Sequence, residues 1–200
     1  MNAEILLFDG FDELDAIGPF EVLADALETA FVTLEGARDV TSARGIVVRA
    51  QHALSERPDV LIVPGGGWLD RAPEGARAQA ERGDVPGAIA ACQAAGSTVA
   101  SVCTGALLLA HSGILAGRRA TTNPQALGDL RAHGGIEVVE ARVVDDGDVL
   151  TAGAPACGID LALRLLERFG GPGVAEAAAR ELQYELPSDR PGLEAVRQSA

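Results

Sequence analysis

Two short apolar runs constrain this chain more than anything else in it. Asp59–Val63 stops at Pro64-Gly65-Gly66-Gly67, and Thr98–Val102 stops at Cys103. Runs this short and this continuously apolar are strands buried on both faces, which is the signature of a parallel sheet covered by helices. Ile5–Phe8, ending in Asp9-Gly10, reads as a third. Helical spacing fills the intervals. Gly18-Pro19 is expected to open a helix through Phe20, Val22-Leu23, Ala26-Leu27 and Ala30, with Pro19 in the first turn. Further helices are predicted over Val85–Ala95, Thr104–His111, Asn123–Ala132, Gly158–Phe169 and Val174–Leu186, the last capped by Pro187. Phe31–Leu34, Ile46–Val48, Ile136–Val139, Arg142–Val144 and Val149–Thr151 read as strands, with a turn at Asp145-Asp146-Gly147-Asp148. Pro73–Gly87 reads as a surface excursion. The pattern predicts one α/β domain over residues 1–187 with a largely parallel sheet, and a polar, loosely held tail over 188–200.

Charge and composition exclude several functions. A formal net charge of -13 repels phosphate backbones and anionic lipid, so nucleic acid and membrane are not expected partners. Every basic residue is Arg. Without Lys there is no Schiff-base chemistry and no P-loop lysine. Aromatics make up 4%, so the core must be Ala, Val, Leu and Ile. The three cysteines, Cys92, Cys103 and Cys157, form no CxxC pair and no zinc spacing, so no metal is expected. Their odd number, and a start that is no secretory leader, fit a reducing cytoplasmic setting.

In an open α/β sheet, ligands collect at the carboxyl ends of the strands. Cys103 stands there, at a strand-to-helix turn, where the first helical amides are expected to lower its thiol pKa. A thiolate is a nucleophile. Backbone amides around Gly66, Gly67 and Thr104 are expected to face substrate or a developing anion. Cys92 falls inside a helical pattern and reads as core. Cys157, beside Gly158, reads as packing that approaches the same edge.

Several stretches together resemble the DJ-1/PfpI superfamily. They are Leu14-Asp15-Ala16-Ile17-Gly18-Pro19, Asp59–Gly66, Ser101-Val102-Cys103-Thr104-Gly105, Gly113–Thr122, and Val144–Gly153 leading into Gly158-Ile159-Asp160. The likeness runs from about residue 3 to residue 185. It implies a flavodoxin-like three-layer sandwich of the class I glutamine amidotransferase type, and a homodimer. It also implies that Asp15 is the acidic partner of Cys103; read from position alone, Asp15 is an ordinary helix cap.

The branch most resembled holds isocyanide hydratases and the cysteine domains of AraC-type regulators. The chain stops before a helix-turn-helix domain, which favours the stand-alone reading. Other branches place a His directly after the cysteine, where this chain has Thr104, or after Ala120-Thr121-Thr122, where it has Asn123. His52, His111 and His133 match no catalytic position, so a Cys–His triad and peptidase activity are not expected. His111 is expected at a helix end. Trp68 is expected to line a pocket, an interface or the core. Asn123 is expected to cap the helix that follows, in a pocket without an imidazole. The expected reaction adds water to an isocyanide through Cys103 and Asp15, with a small-molecule substrate and no cofactor. The alternative is a non-enzymatic redox or ligand sensor oxidised at Cys103.

Overall fold

The structure is a computed structural model that describes residues 1–185 and the backbone of 193–194. The strands in chain order are β1 Asn2–Leu6, β2 Glu28–Thr33, β3 Asp39–Thr41, β4 Val47–Arg49, β5 His52–Ala53, β6 Val60–Val63, β7 Thr98–Val102, β8 Arg119–Ala120, β9 Glu137–Val138, β10 Val143–Asp146, β11 Val149–Ala152 and β12 Leu193–Glu194. The helices are α1 Glu13–Leu23, α2 Ala76–Arg82, α3 Asp84–Ala94, α4 Gly105–His111, α5 Leu127–Ala132, α6 Cys157–Gly170 and α7 Pro172–Glu181.

Eight strands form the main sheet, in the order β12-β10-β11-β7-β6-β1-β2-β5. Neighbours run parallel except β10 and β11, which form a hairpin. Helices α1, α6 and α7 pack together, with α6 on β7 and β11, while α2 to α5 group around α4, which rests on β6 and β7. The expected α/β three-layer sandwich is present. Its centre is dry: Val60–Val63 and Val99, Ala100 and Val102 are fully buried. Burying a side chain of Val, Leu or Ile size contributes about 1.5–3 kcal/mol. β6 pairs with β7 from Val60↔Thr98 to Val63↔Ser101. Both strands therefore end at one edge, and this register brings Gly65 beside Thr104, the residue after Cys103.

Several expectations are corrected. Gly18-Pro19 does not open α1, which starts five residues earlier at Glu13 and takes Asp12 as its cap, Oδ1 accepting from the Leu14 N–H at 3.2 Å. Pro19 lies inside the helix, where Gly158 of α6 packs on its ring; a Cβ at Gly158 would stand 3.2 Å from the Pro19 ring carbons. The stretch 73–87, expected as a surface excursion, carries α2 and the start of α3. Asn123–Ala132 is not one helix, because a 3-10 turn over Pro124–Ala126 precedes α5. β10 runs on through Asp146, so the hairpin turns at Gly147-Asp148. Helix α7 ends at Glu181, short of Leu186, and Pro187 lies outside the described residues. So does the polar tail, apart from β12, whose backbone pairs with β10 at Val143↔Leu193.

Candidate active site

Cys103 follows β7 without a spacer and adopts φ 56, a conformation that costs a side-chain-bearing residue about 1 kcal/mol or more. Three contacts hold its backbone and side chain. Its N–H donates to the Ala152 carbonyl of β11 at 3.0 Å. Its carbonyl accepts from Thr122 Oγ1 at 2.8 Å. Its Sγ accepts from Asn123 Nδ2 at 3.3 Å. The Asn123 amide cannot turn round freely, because its Oδ1 accepts from the Gln125 N–H at 2.9 Å. Asn123 thus caps the 3-10 turn, as a cap was expected there, and also presents its N–H to the sulfur.

The glycine loop fits against the start of α4 so closely that side chains are excluded. A Cβ at Gly65 would collide with Thr104 Oγ1, and one at Gly105 with the Val63 carbonyl oxygen. This close approach lets the Gly65 N–H donate to Asp15 Oδ2 at 2.8 Å and the Gly66 N–H to Thr104 Oγ1 at 3.0 Å. The Gly66 amide is therefore turned to Thr104 and not to Cys103. The Gly66 N–H is occupied, and Gly67 borders a separate cleft with Asp9, Gly10 and Glu74. The Thr104 backbone N–H does act on the Cys103 sulfur, favouring its ionised form.

Asp15 is fully buried in the first turn of α1. Burial first, and the neighbouring Asp12 charge second, push its carboxyl up to about 8, against the Gly65 N–H bond and the Cys103 contact. It is therefore protonated at neutral pH. Its Oδ2 already accepts a hydrogen bond, and Oδ1 has no partner. The proton of the neutral acid consequently sits on Oδ1, free to be given. Cys103 departs from expectation. Burial, with the Asp15 charge second, pushes its thiol up to about 12, and the Asn123 and Thr104 N–H groups only partly offset this. It is 6% exposed, and α4 contributes only seven residues of helix dipole. Cys103 hydrogen-bonds toward the Asp15 carboxyl and lowers its pKa, while the Asp15 charge raises that of the thiol, so the two titrate as a pair.

The remaining candidates lie apart. Cys92 is buried in α3 with its Sγ toward the Ser55 carbonyl at 3.8 Å. Cys157 is buried at the start of α6, its thiol pushed up by burial, with Arg142 nearby working the other way. Trp68 and His111 line a cleft away from Cys103, where His111 ends α4 and packs on His133. The Gly65–Gly67 amides were expected to face a ligand, and the Gly65 amide binds Asp15 instead. Sequence reasoning passed over Thr122, whose hydroxyl grips the Cys103 carbonyl. It also passed over Glu13. Burial raises Glu13, but bonds from Ser42 and Arg44 outweigh it and bring the carboxyl down to about 2. Among the described residues, no group of three or more His, Cys, Asp or Glu is placed to hold a metal.

Known proteins share this arrangement of elements and motifs. The sequence profile of the DJ-1/PfpI family matches residues 1–168. An isonitrile hydratase of Pseudomonas putida is 34% identical over 182 residues, covering 90% of this chain and 76% of that protein. A deglycase of Pyrococcus abyssi is 30% identical over 159 residues, covering 78% of this chain and 91% of that protein. The crystal structure of Drosophila melanogaster DJ-1beta superposes with a TM-score of 0.81 at 24% identity, over 92% of this chain and 98% of that one.

Proposed function

The chain belongs to the DJ-1/PfpI family, and from the site it carries we propose that it is a cysteine-dependent isocyanide hydratase. One observation carries this reading. The reactive sulfur is flanked by a protonated carboxyl and a neutral amide, and no described hydrogen bond joins it to an imidazole. Hydration of R–N≡C needs a soft nucleophile and one group that gives and then takes a proton, which is what Cys103 and Asp15 supply. The likeness to the Pseudomonas putida isonitrile hydratase supports it.

The pair reacts after losing one proton, which the carboxyl gives up first, and the proton left on Cys103 passes to Asp15 as the sulfur attacks. Cys103 thiolate attacks the terminal carbon, forming the C–S bond, and that carbon takes the proton from Asp15 Oδ1. The product is a thioimidate, R–N=CH–S–Cys103, beside an Asp15 carboxylate. The carboxylate then removes one proton from water as the oxygen attacks the same carbon, and the second water proton, left on that oxygen, passes to the nitrogen as the C=O forms. The C–S bond breaks, releasing R–NH–CHO and regenerating thiolate and acid. The Asn123 and Thr104 N–H groups hold the sulfur charge at both ends of the cycle. Peptide hydrolysis, which needs a base–acid imidazole, is not supported.

The deciding experiment is formamide production from a small alkyl isocyanide by purified protein, beside Cys103→Ala. Turnover that the variant lacks supports the proposal. Absence of turnover together with ready peroxide oxidation of Cys103 favours the redox sensor instead. A homodimer is part of this reading. Leu14 and Ile17 on α1, and Ile46 and Val47 on the β3–β4 hairpin, are 43%, 38%, 49% and 59% exposed. The Arg44–Glu13 ion pair ties that hairpin to α1, and we infer that these exposed apolar side chains together form the contact between protomers.

A further inference from the structure

On the α2–α4–α5 side of the sheet, Trp68, Arg71, Arg77, Glu81, His111, and His133 border a cleft of about 360 Å³. Cys103, Asp15 and Asn123 take no part in it. Its volume suits a small ligand. The walls are flat. Trp68 and His111 meet edge to face at 5.7 Å, His111 and His133 at 4.4 Å, and the Arg77 guanidinium stands 5.9 Å over the indole.

Most polar groups here are already engaged. The indole N–H donates to Asp129 Oδ2 at 2.7 Å, and Arg77 Nε pairs with Glu81 at 3.3 Å. His111 Nδ1 faces the Leu107 carbonyl at 2.8 Å, which orients that ring. Burial and the neighbouring His111 lower the His133 pKa, so its ring adds no charge at neutral pH. Arg71 differs. Most described arginines sit in ion pairs, yet its guanidinium has no partner among the described residues. Its backbone is also held at φ 51, in the left-handed region that a long side chain adopts only at a cost. Arg71 is thus an exposed, unpaired planar cation on a strained backbone at the rim of a cleft that Trp68, His111 and His133 also border, open to an anionic ligand.

We propose that this cleft is a second binding site, one that takes a small planar carboxylate. The Arg71 guanidinium would grip the carboxylate through two parallel N–H···O bonds, and the ligand's ring would lie against the indole and imidazoles. The site is independent of the reaction at Cys103.

Trp68 is the chain's single tryptophan, so its emission reports directly on the cleft. Benzoate is titrated into the intact protein, with benzamide and cyclohexanecarboxylate as comparators. Saturable change with a Kd of about 0.1–1 mM is expected for so small a ligand. Benzamide, which lacks the charge, and cyclohexanecarboxylate, which lacks the plane, are each expected to bind at least tenfold more weakly. Arg71→Gly is expected to weaken benzoate at least tenfold while melting at the same or a higher temperature, since glycine accepts this φ without strain. His133→Ala is expected to weaken benzoate while leaving Cys103 alkylation unchanged. No saturation, equal binding of either comparator, full benzoate affinity in Arg71→Gly, or a lower melting temperature in that variant would overturn the proposal.

Discussion

Cys103 is held by its neighbours in sequence and its neighbours in space at once. The strand-to-helix turn that sets its backbone is local, and Ser101-Val102-Cys103-Thr104-Gly105 announces it. The direction of the Asn123 amide is not local. It depends on β8 and the 3-10 turn crossing to the end of β7, so the sequence foretold the cap and not the contact with sulfur. The same is true of the thiol's acidity. Position before a helix predicted a lowered pKa, but burial and the Asp15 charge outweigh two turns of helix dipole. Asn123→Asp separates the two roles of this residue. The carboxylate keeps the cap but sets a negative charge against the sulfur. Cys103 alkylation near pH 8 is expected to slow by more than about tenfold, a shift of one pKa unit or more, with little change in melting temperature. Asp15→Asn acts the other way on the thiol. Removing the Asp15 charge is expected to speed alkylation above pH 8, yet hydration is expected to fall by about 10²–10⁴, the usual loss of a general acid. A parallel fall in both rates would mean that Asp15 only supports the fold. In the parent protein, turnover is expected to rise as pH increases through about 8, where the pair loses its first proton.

Helix α1 shows how the elements pass stability to the site. Three acids, Asp12, Glu13 and Asp15, lie within its first four positions, cap included. Propensity alone assigns any of them to capping, and a proline at position 19 hides how early the helix begins. Tertiary contacts divide the roles. Asp12 caps, Glu13 binds Ser42 and Arg44, and Asp15 turns inward to Gly65. Helix α2 escaped prediction for a related reason: it buries only Ala76, Gln79 and Ala80, too small a stripe to read. The inward turn of Asp15 has a measurable cost. Between pH 3.8 and about 8 the unfolded chain ionises this carboxyl while the folded chain keeps it protonated. The folded state then binds more protons, so this group's contribution to stability falls as pH rises across that window, opposite to an aspartate in a salt bridge. Asp15→Asn is expected to remove up to about 1.4 kcal/mol of that decline per pH unit, and to stabilise the protein at pH 7. Urea midpoints measured at pH 5, 6 and 7 for both proteins check this; parallel curves would contradict it.

The centre of the main sheet was the most legible feature, because β6 is apolar along its whole length and β1 and β7 along much of theirs, whereas the strand order and the outer strands β5 and β12 left no pattern to read. Its small satellites, β3–β4 and β8–β9, were only partly legible, since pairs of two or three residues carry little pattern. Assembly belongs to this scale too. Ile17→Glu with Val47→Glu is expected to convert a dimer to a monomer in sedimentation at micromolar concentration, with the melting transition retained. A parent protein that is already monomeric would dismiss that surface. The sheet's ends carry a different consequence. Its outermost strands, β5 and β12, are each two residues long. A foreign strand seeking to extend the sheet finds only a short row of unpaired N–H and C=O groups, and a surface of net charge -13 repels further copies. The protein is thereby built to resist edge-to-edge polymerisation, and concentrated solutions are expected to stay clear of fibrils for as long as the native sheet persists.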